Sequence, residues 1–365
     1  MSAADATGDL PDTAGPPDTA GPPDTTAGPP EATAVLLEAP GSHRLVTYGP
    51  KAPGPGEARV RVHAAGICGS DRELYAGTRA AGYARYPIVP GHEWSGTVEA
   101  VGDSVPPGLV GRGTVGEGFR NCQVCERCHT GDTTLCTAGY DETGFTRPGA
   151  MATTLTLPAR LLHPLPDDAD LTAAALLEPA ACVAAAALEA RALPGDRVAV
   201  VGDGTLGMLA VQFLAAVSPA RLLMVGARPE REGLAREFGA TEFRTARDPL
   251  PEGEFDVVIE AAGGPSAAGS AAALARGGGR LVLTGLPEAG TASLDPAGLV
   301  TGQLEVRTVF GAPPAAWAHA VRAFGSGLLR TLPLVTHELP LDGFGKAMEL
   351  MGPDGPGVGK VLLRP

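Results

Sequence analysis

From Thr33 to about residue 185 the chain alternates in polarity over short runs divided by glycine and proline. In Arg59-Val60-Arg61-Val62-His63-Ala64 every second side chain is charged or polar, as in a strand that buries one face. Gly96-Thr97-Val98-Glu99-Ala100-Val101-Gly102 is a second such run between glycines. This texture predicts a small barrel or sandwich. From about residue 186 to 312 the period changes. Arg197-Val198-Ala199-Val200-Val201 reads as a buried strand and residues 208–217 as an apolar helix. Strand-like runs follow at 221–225, 255–260, 280–284 and 304–309, and the alternation predicts a doubly wound parallel sheet. The expected class is α/β, with one domain over 33–185 and a second over 186–312.

Gly202-Asp203-Gly204-Thr205-Leu206-Gly207 sits directly between the first of those later strands and its helix. In that context a G-x-G-x-x-G run turns tightly, lets a pyrophosphate approach the backbone and packs helix against strand, with the positive end of the helix dipole at the phosphates. Gly202, Gly204, Thr205, Leu206 and Gly207 are therefore cofactor-binding candidates, joined by Thr284 and Gly285 at the end of the 280–284 run. At the end of the second strand an acidic residue ordinarily accepts hydrogen bonds from the ribose 2′-hydroxyl of NAD. That place falls at Gly226, and Arg228 and Arg231 follow. A missing carboxylate and two guanidinium groups favour the 2′-phosphate of NADP(H) over NAD(H).

Residues 1–32 are a different material. Pro11-Asp12-Thr13-Ala14-Gly15-Pro16 recurs over 17–22 and, with one extra threonine, over 23–29. Proline and glycine at this density, without bulky apolar side chains, predict a disordered tail. The whole chain of 365 residues is 44% hydrophobic, enough to bury the cores of two domains. A formal net charge of −13 argues against nucleic acid or an anionic membrane as a partner. The alanine-rich stretch 172–190 is broken by Glu178, Pro179 and Glu189, so it is no membrane span. With no basic segment leading an apolar one at the start, the expected location is the cytoplasm.

Cys122, Cys125, Cys128 and Cys136 give the spacing C-x2-C-x2-C-x7-C. Short loops between four thiols gather them around one tetrahedral zinc. Only six cysteines in the chain and no secretion signal favour metal over disulfides. The cluster reads as closed and structural. Two further metal-type residues precede it: Cys68 in Gly66-Ile67-Cys68-Gly69-Ser70-Asp71, and His92 in Pro90-Gly91-His92-Glu93.

With these motifs the chain resembles the zinc-dependent medium-chain alcohol dehydrogenases from about residue 33 onward. The likeness includes the four-cysteine lobe, Glu178-Pro179, the glycine fingerprint and Gly359-Lys360-Val361. It implies a GroES-like barrel over 33–185, a Rossmann domain over 186–312, and a return of 313–365 to complete the first domain. It implies a catalytic zinc held by Cys68 and His92, with the third protein ligand among Glu93, Glu178 and Cys182, and a structural zinc in the cysteine lobe. Cys182, four residues beyond Glu178, is the weaker candidate and reads better as a small buried helix residue. Ser70 corresponds to the hydroxyl with which the family begins its proton relay, and Asp71 and Glu93 would orient ligands. Glu at 178 in place of Cys is similar to the polyol, glucose and threonine dehydrogenase branch. Pro87 to Thr97 and Gly144 to Ala150 are locally similar to 2-deoxy-scyllo-inosamine dehydrogenases of antibiotic biosynthesis. Arg72 and Glu73 depart from the polyol pattern of an apolar residue and a His.

The implied reaction is hydride transfer between a nicotinamide cofactor and a secondary alcohol or its ketone, the alcohol being a polyol, sugar or aminocyclitol, in a homodimer or homotetramer. Two other readings compete. One is a zinc-free enone or quinone reductase of the same superfamily, against which Cys68, His92, Glu93 and Glu178 count. The other is a non-catalytic NADPH-binding protein using the repeat tail for interaction.

Overall fold

A computed structural model describes residues 31–287, 294–352 and 357–365. The expected tail, 1–32, lies outside the described residues except for Glu31 and Ala32, and Ala32 already opens the first strand. The first region holds β1 (Ala32–Ala39), β2 (Ser42–Tyr48), β3 (Glu57–Ile67), β4 (Glu93–Val101), β5 (Gly113–Gly116), β6 (Thr154–Pro158) and β7 (Leu162–Pro164). β1 and β2 form an antiparallel hairpin. β3 is the hub of the larger sheet. It pairs with β4 along most of its length and with β6 through Glu57 to Arg61. Val60, Val62 and Ala64 are buried in alternation, and burial becomes continuous from Ala64 to Ile67, where the strand passes beneath the site.

The second region holds β8 (Arg197–Val201), β9 (Arg221–Gly226), β10 (Glu242–Thr245), β11 (Phe255–Glu260), β12 (Ala275–Leu283) and β13 (Glu305–Thr308). Their spatial order is β10-β9-β8-β11-β12-β13, every pair parallel. The order reverses between β8 and β11, and ligands of such sheets bind in the crevice outside the carboxyl ends at that point. The helix after β8 spans Thr205–Ala215 and begins three residues before the expected 208, with Gly204 as its N-cap. Its first turn holds Thr205 and Gly207, so the apolar pattern starts later than the helix. β10 is a short, half-buried edge strand that carries no apolar run of its own.

β14 (Val335–Pro340) and β15 (Lys360–Arg364) lie back on the first sheet. β15 pairs antiparallel with β3, setting Val361 against Ile67 and Leu362 against Gly66. Helix Leu177–Ala190 runs without a break across the expected boundary at 185. Alanine is the best helix former and lets neighbouring elements approach closely. The helix's Ala180, Ala181 and Ala184 join Ala64 and Val115 of the first sheet to Val198 and Val200 of β8 in one core. Among the described residues no helix is long and apolar enough to cross a membrane.

Candidate active site

The site starts where β3 ends. Cys68 is the N-cap of helix Gly69–Ala76, and the Asp71 carboxylate accepts from the Cys68 amide at 2.9 Å, which fixes the thiol at the strand's tip. Gly66 faces Glu93 across the β3–β4 ladder, and a Cβ there would come within 2.4 Å of the Glu93 carboxylate. The close approach brings Cys68 and His92 together. Cys68, His92 and Glu93 each offer a ligand atom within 4.8 Å of the others. Buried His92 has Nδ1 3.7 Å from the Asp71 carboxylate, and neither atom has a hydrogen-bond partner. Burial opposes charge on the imidazole, but the Asp71 carboxylate raises its pKa well above the ordinary value. A thiol, an imidazole and a nearby carboxylate facing a cavity are the donor set of a zinc site with an open position.

Glu93 does not stand free. Lys360 Nζ, delivered by β15, donates to both its carboxylate oxygens at 2.8 and 2.6 Å and to the Ile67 carbonyl at 3.2 Å. Glu178 lies outside the 4.8 Å group but lines the same cavity. It stands in the first turn of its helix, where Pro179 costs no hydrogen bond because the first amides have no helical partner. Cys182, one turn on, donates to Glu178 Oε1 at 3.6 Å and also lines the cavity, so it is half-buried at the site and not enclosed in the core. Burial pushes the Glu178 carboxyl up to about 7. Ser70 Oγ lies 3.1 Å from Cys68 Sγ on the cavity wall.

The cavity, about 390 Å³, runs from these residues to Gly204, Thr205 and Leu206, with Thr284 and Gly285 on its wall. The glycines of the fingerprint do what dinucleotide binding requires. A Cβ at Gly207 would lie 1.8 Å from the Gly202 carbonyl, whereas Gly204 has open space where a pyrophosphate would approach the helix N-terminus. The end of β9 differs from expectation. Gly226 bears no acid, yet Asp203 of the fingerprint places its carboxylate there, 2.8 Å from where a Gly226 Cβ would stand. Its Oδ2 accepts from the Ala227 and Arg228 amides at 3.0 and 2.7 Å, and its Oδ1 from Arg228 Nε and Nη2 at 3.2 and 2.9 Å. Arg231 is half-buried, with Nη2 3.5 Å from the Gly357 carbonyl.

The second cluster is separate. The four sulfurs of Cys122, Cys125, Cys128 and Cys136 lie within 4.8 Å of one another, with Cys122 and Cys128 3.9 Å apart and none in a disulfide. Four bonds of about 2.3 Å to a tetrahedral zinc would separate sulfurs by roughly 3.8 Å. The Thr137 and Cys128 amides donate to Cys125 and pull its thiol down to about 5, so a thiolate is available to a metal.

Lys360, Glu142 and Arg79 also line the cavity and Asp203 stands at the end of β9, and no spacing in the sequence marks the partners of any of them. Lys360 was visible within Gly359-Lys360-Val361 and Asp203 within the fingerprint, but only the fold shows what each touches.

Two family models match the chain: the alcohol dehydrogenase GroES-like domain over residues 54–167 and the glucose dehydrogenase C-terminus over 172–354. The L-threonine 3-dehydrogenase of Bacillus subtilis is 32% identical over 324 residues, 85% of this chain and 91% of its own length. The sorbitol dehydrogenase of the same organism is 30% identical over 80% of this chain and 86% of its own. Among solved structures, galactitol-1-phosphate dehydrogenase of Escherichia coli superposes with a TM-score of 0.83 at 26% identity, covering 91% of this chain and 100% of its own. A Sinorhizobium meliloti dehydrogenase assigned to the zinc-binding class, solved with NADP, gives 0.83 at 27% identity over 92% and 99%. The chain therefore belongs to the zinc-dependent medium-chain alcohol dehydrogenases, in their polyol and threonine dehydrogenase branch, and transfers hydride between a secondary alcohol and a nicotinamide cofactor.

Proposed function

We propose that the alcohol is a polyol, sugar or aminocyclitol, that NADP(H) is the preferred cofactor, and that the catalytic zinc is held by Cys68, His92 and Glu178. The observation that carries the ligand choice is the Glu93–Lys360 pair. Both Glu93 oxygens are engaged by a buried ammonium, while among the described residues the hydrogen-bond partner of Glu178 is the Cys182 thiol. A zinc there would act as a Lewis acid on the substrate oxygen. Around it the chain's own residues divide the work. Asp71 steadies His92 and the Cys68 amide. Ser70 offers a hydroxyl beside Cys68 to take up the alcohol proton and pass it to solvent. The backbone at Gly202 to Gly207, with Thr284 and Gly285, receives the dinucleotide.

The preference for NADP(H) rests on Arg228, whose inner edge is tied to Asp203 and whose Nη1 makes no hydrogen bond to that carboxylate or another acceptor among the described residues. A carboxylate covered by a guanidinium is closed to a ribose hydroxyl, and the outer edge of the guanidinium suits a phosphate. By resemblance to the branch, the working form is a cytoplasmic homodimer or homotetramer, which light scattering would resolve. The test of the reaction is a panel of polyols, sugars, amino alcohols and simple alcohols, followed through reduced-cofactor absorbance with NADP and NAD at equal concentration. Faster turnover of substituted secondary alcohols with NADP supports the reading. Turnover confined to simple primary alcohols contradicts it.

A further inference from the structure

The cavity carries a second group of charged side chains for which hydride transfer itself has no use: Glu73, Arg79 and Glu142, with Phe145 beside them. Phe145 places the group next to the metal-type residues, its ring 4.8 Å from that of His92. Arg79 sits over the Phe145 ring, with its guanidinium carbon 3.8 Å from the ring centroid. Its Nη1 is 3.8 Å from the Glu73 carboxylate, and its Nη2 donates to the Tyr140 hydroxyl at 2.9 Å. Tyr140 in turn donates to Glu142 Oε2.

Glu142 is held rigidly. Thr146 Oγ1 accepts from its amide at 2.7 Å, and its carbonyl accepts from the amides of Phe145, Thr146 and Arg147. The residue is 5% exposed. Among the described residues its Oε1 receives no hydrogen bond, and no cation lies within 4.0 Å of the carboxylate. Two of the other cavity carboxylates have cationic counterparts, Lys360 facing Glu93 and Arg79 facing Glu73, and Glu178 is already assigned to the metal. Among the described residues the side-chain donor to the Glu142 carboxylate is a neutral hydroxyl, that of Tyr140. A buried carboxylate so placed is short of one cationic donor, and its burial raises its pKa accordingly.

We propose that Glu142 determines specificity by receiving a protonated amine of the substrate, which makes the alcohol oxidised an amino alcohol. The proposal deepens the reading of a substituted secondary alcohol and rests on it. An ammonium group completes Glu142 with a charge-assisted bond, whereas a hydroxyl supplies a second neutral donor. Tyr140 is a positioning residue in this scheme, holding Oε2 and leaving Oε1 for the substrate.

The test uses the zinc-loaded full-length chain at pH 7 with NADP and three probes: 2-aminocyclohexanol, cyclohexane-1,2-diol and cyclohexanol. The expected wild-type kcat/KM is at least about tenfold higher for the amine than for the diol, the scale of one charged hydrogen bond. Glu142→Gln should lower the amine at least about tenfold more than the diol, chiefly through KM, and Glu142→Asp should restore part of the preference. Equal loss on both probes, or a wild type indifferent to the amine, overturns the proposal. If no probe is oxidised although NADPH binds, the reading of the reaction is what fails. Calorimetric binding of 2-aminocyclohexanol to the NADPH complex then decides the site: affinity lost in Glu142→Gln supports it, and affinity equal in both proteins overturns it.

Discussion

Lys360 grips both carboxylate oxygens of Glu93 at 2.8 and 2.6 Å, with both side chains buried and the lysine also tied to the Ile67 carbonyl. The pair joins β15, the last strand, to the β3–β4 corner that carries Cys68 and His92. Breaking a buried ion pair by removing one partner leaves the other charge uncompensated, at a cost of about 3–5 kcal/mol. Lys360→Met should therefore lower the melting temperature sharply, and adding Glu93→Gln should recover part of the loss. Thermal denaturation of the two variants checks this. A single variant as stable as wild type would show that water or rearrangement compensates Glu93.

If Glu178 is the carboxylate of the catalytic metal, Glu178→Ala should reduce turnover and weaken retention of one zinc, as well as the discrimination between polyols and cyclohexanol. Glu93→Gln should damage stability more than metal retention. Zinc measured after dialysis of both variants distinguishes them. Metal lost from the Glu93 variant and kept in the Glu178 variant would reverse the assignment.

At the end of β9, Arg228→Ala should raise KM for NADP roughly tenfold or more while affecting NAD much less, since a charged hydrogen bond contributes about 1.5–3 kcal/mol. Converting the site to NAD needs two further changes together. An acid at position 226 would collide with the Asp203 carboxylate and with the Phe243 ring, each 2.8 Å from the new Cβ. Gly226→Asp should therefore fold poorly alone and be better tolerated with Asp203→Gly. Steady-state kinetics with both cofactors reads the outcome.

Cys125→Ser should cost the protein one zinc and lower its soluble yield, because the four-thiol loop has little else to close it. Among the described residues the segment is otherwise ordered by short helices at Glu126–His129 and Thr133–Leu135, local backbone bonds and exposed side-chain contacts such as Thr130 to Asp132. Metal analysis and solubility of the purified variant check the loss. Full yield with both metals present would mean the lobe closes without that thiol.

Local signals made much of this legible. Period-two alternation marked β3, and the glycine fingerprint marked the β8 turn, because both depend on neighbours in sequence. Cys68, His92 and the four-cysteine lobe were visible for the same reason, each inside a short motif. The partners that decide the site were not. Lys360 reaches Glu93 across 267 positions, and Asp203 reaches the β9 loop across 25. Neither pairing leaves a period or spacing to read. Gly226 shows the limit well: the chain has no acid at that position, but the fold places one there from another loop.

The claim of a catalytic metal site distinct from the cysteine lobe is tested most directly by zinc per chain, measured by mass spectrometry on wild type and His92→Ala alongside turnover and circular dichroism. The expected result is two zinc ions in active wild type. The variant should retain one, with its spectrum preserved and turnover abolished. One zinc in fully active wild type, or turnover surviving in the variant, would contradict a separate catalytic metal site at His92.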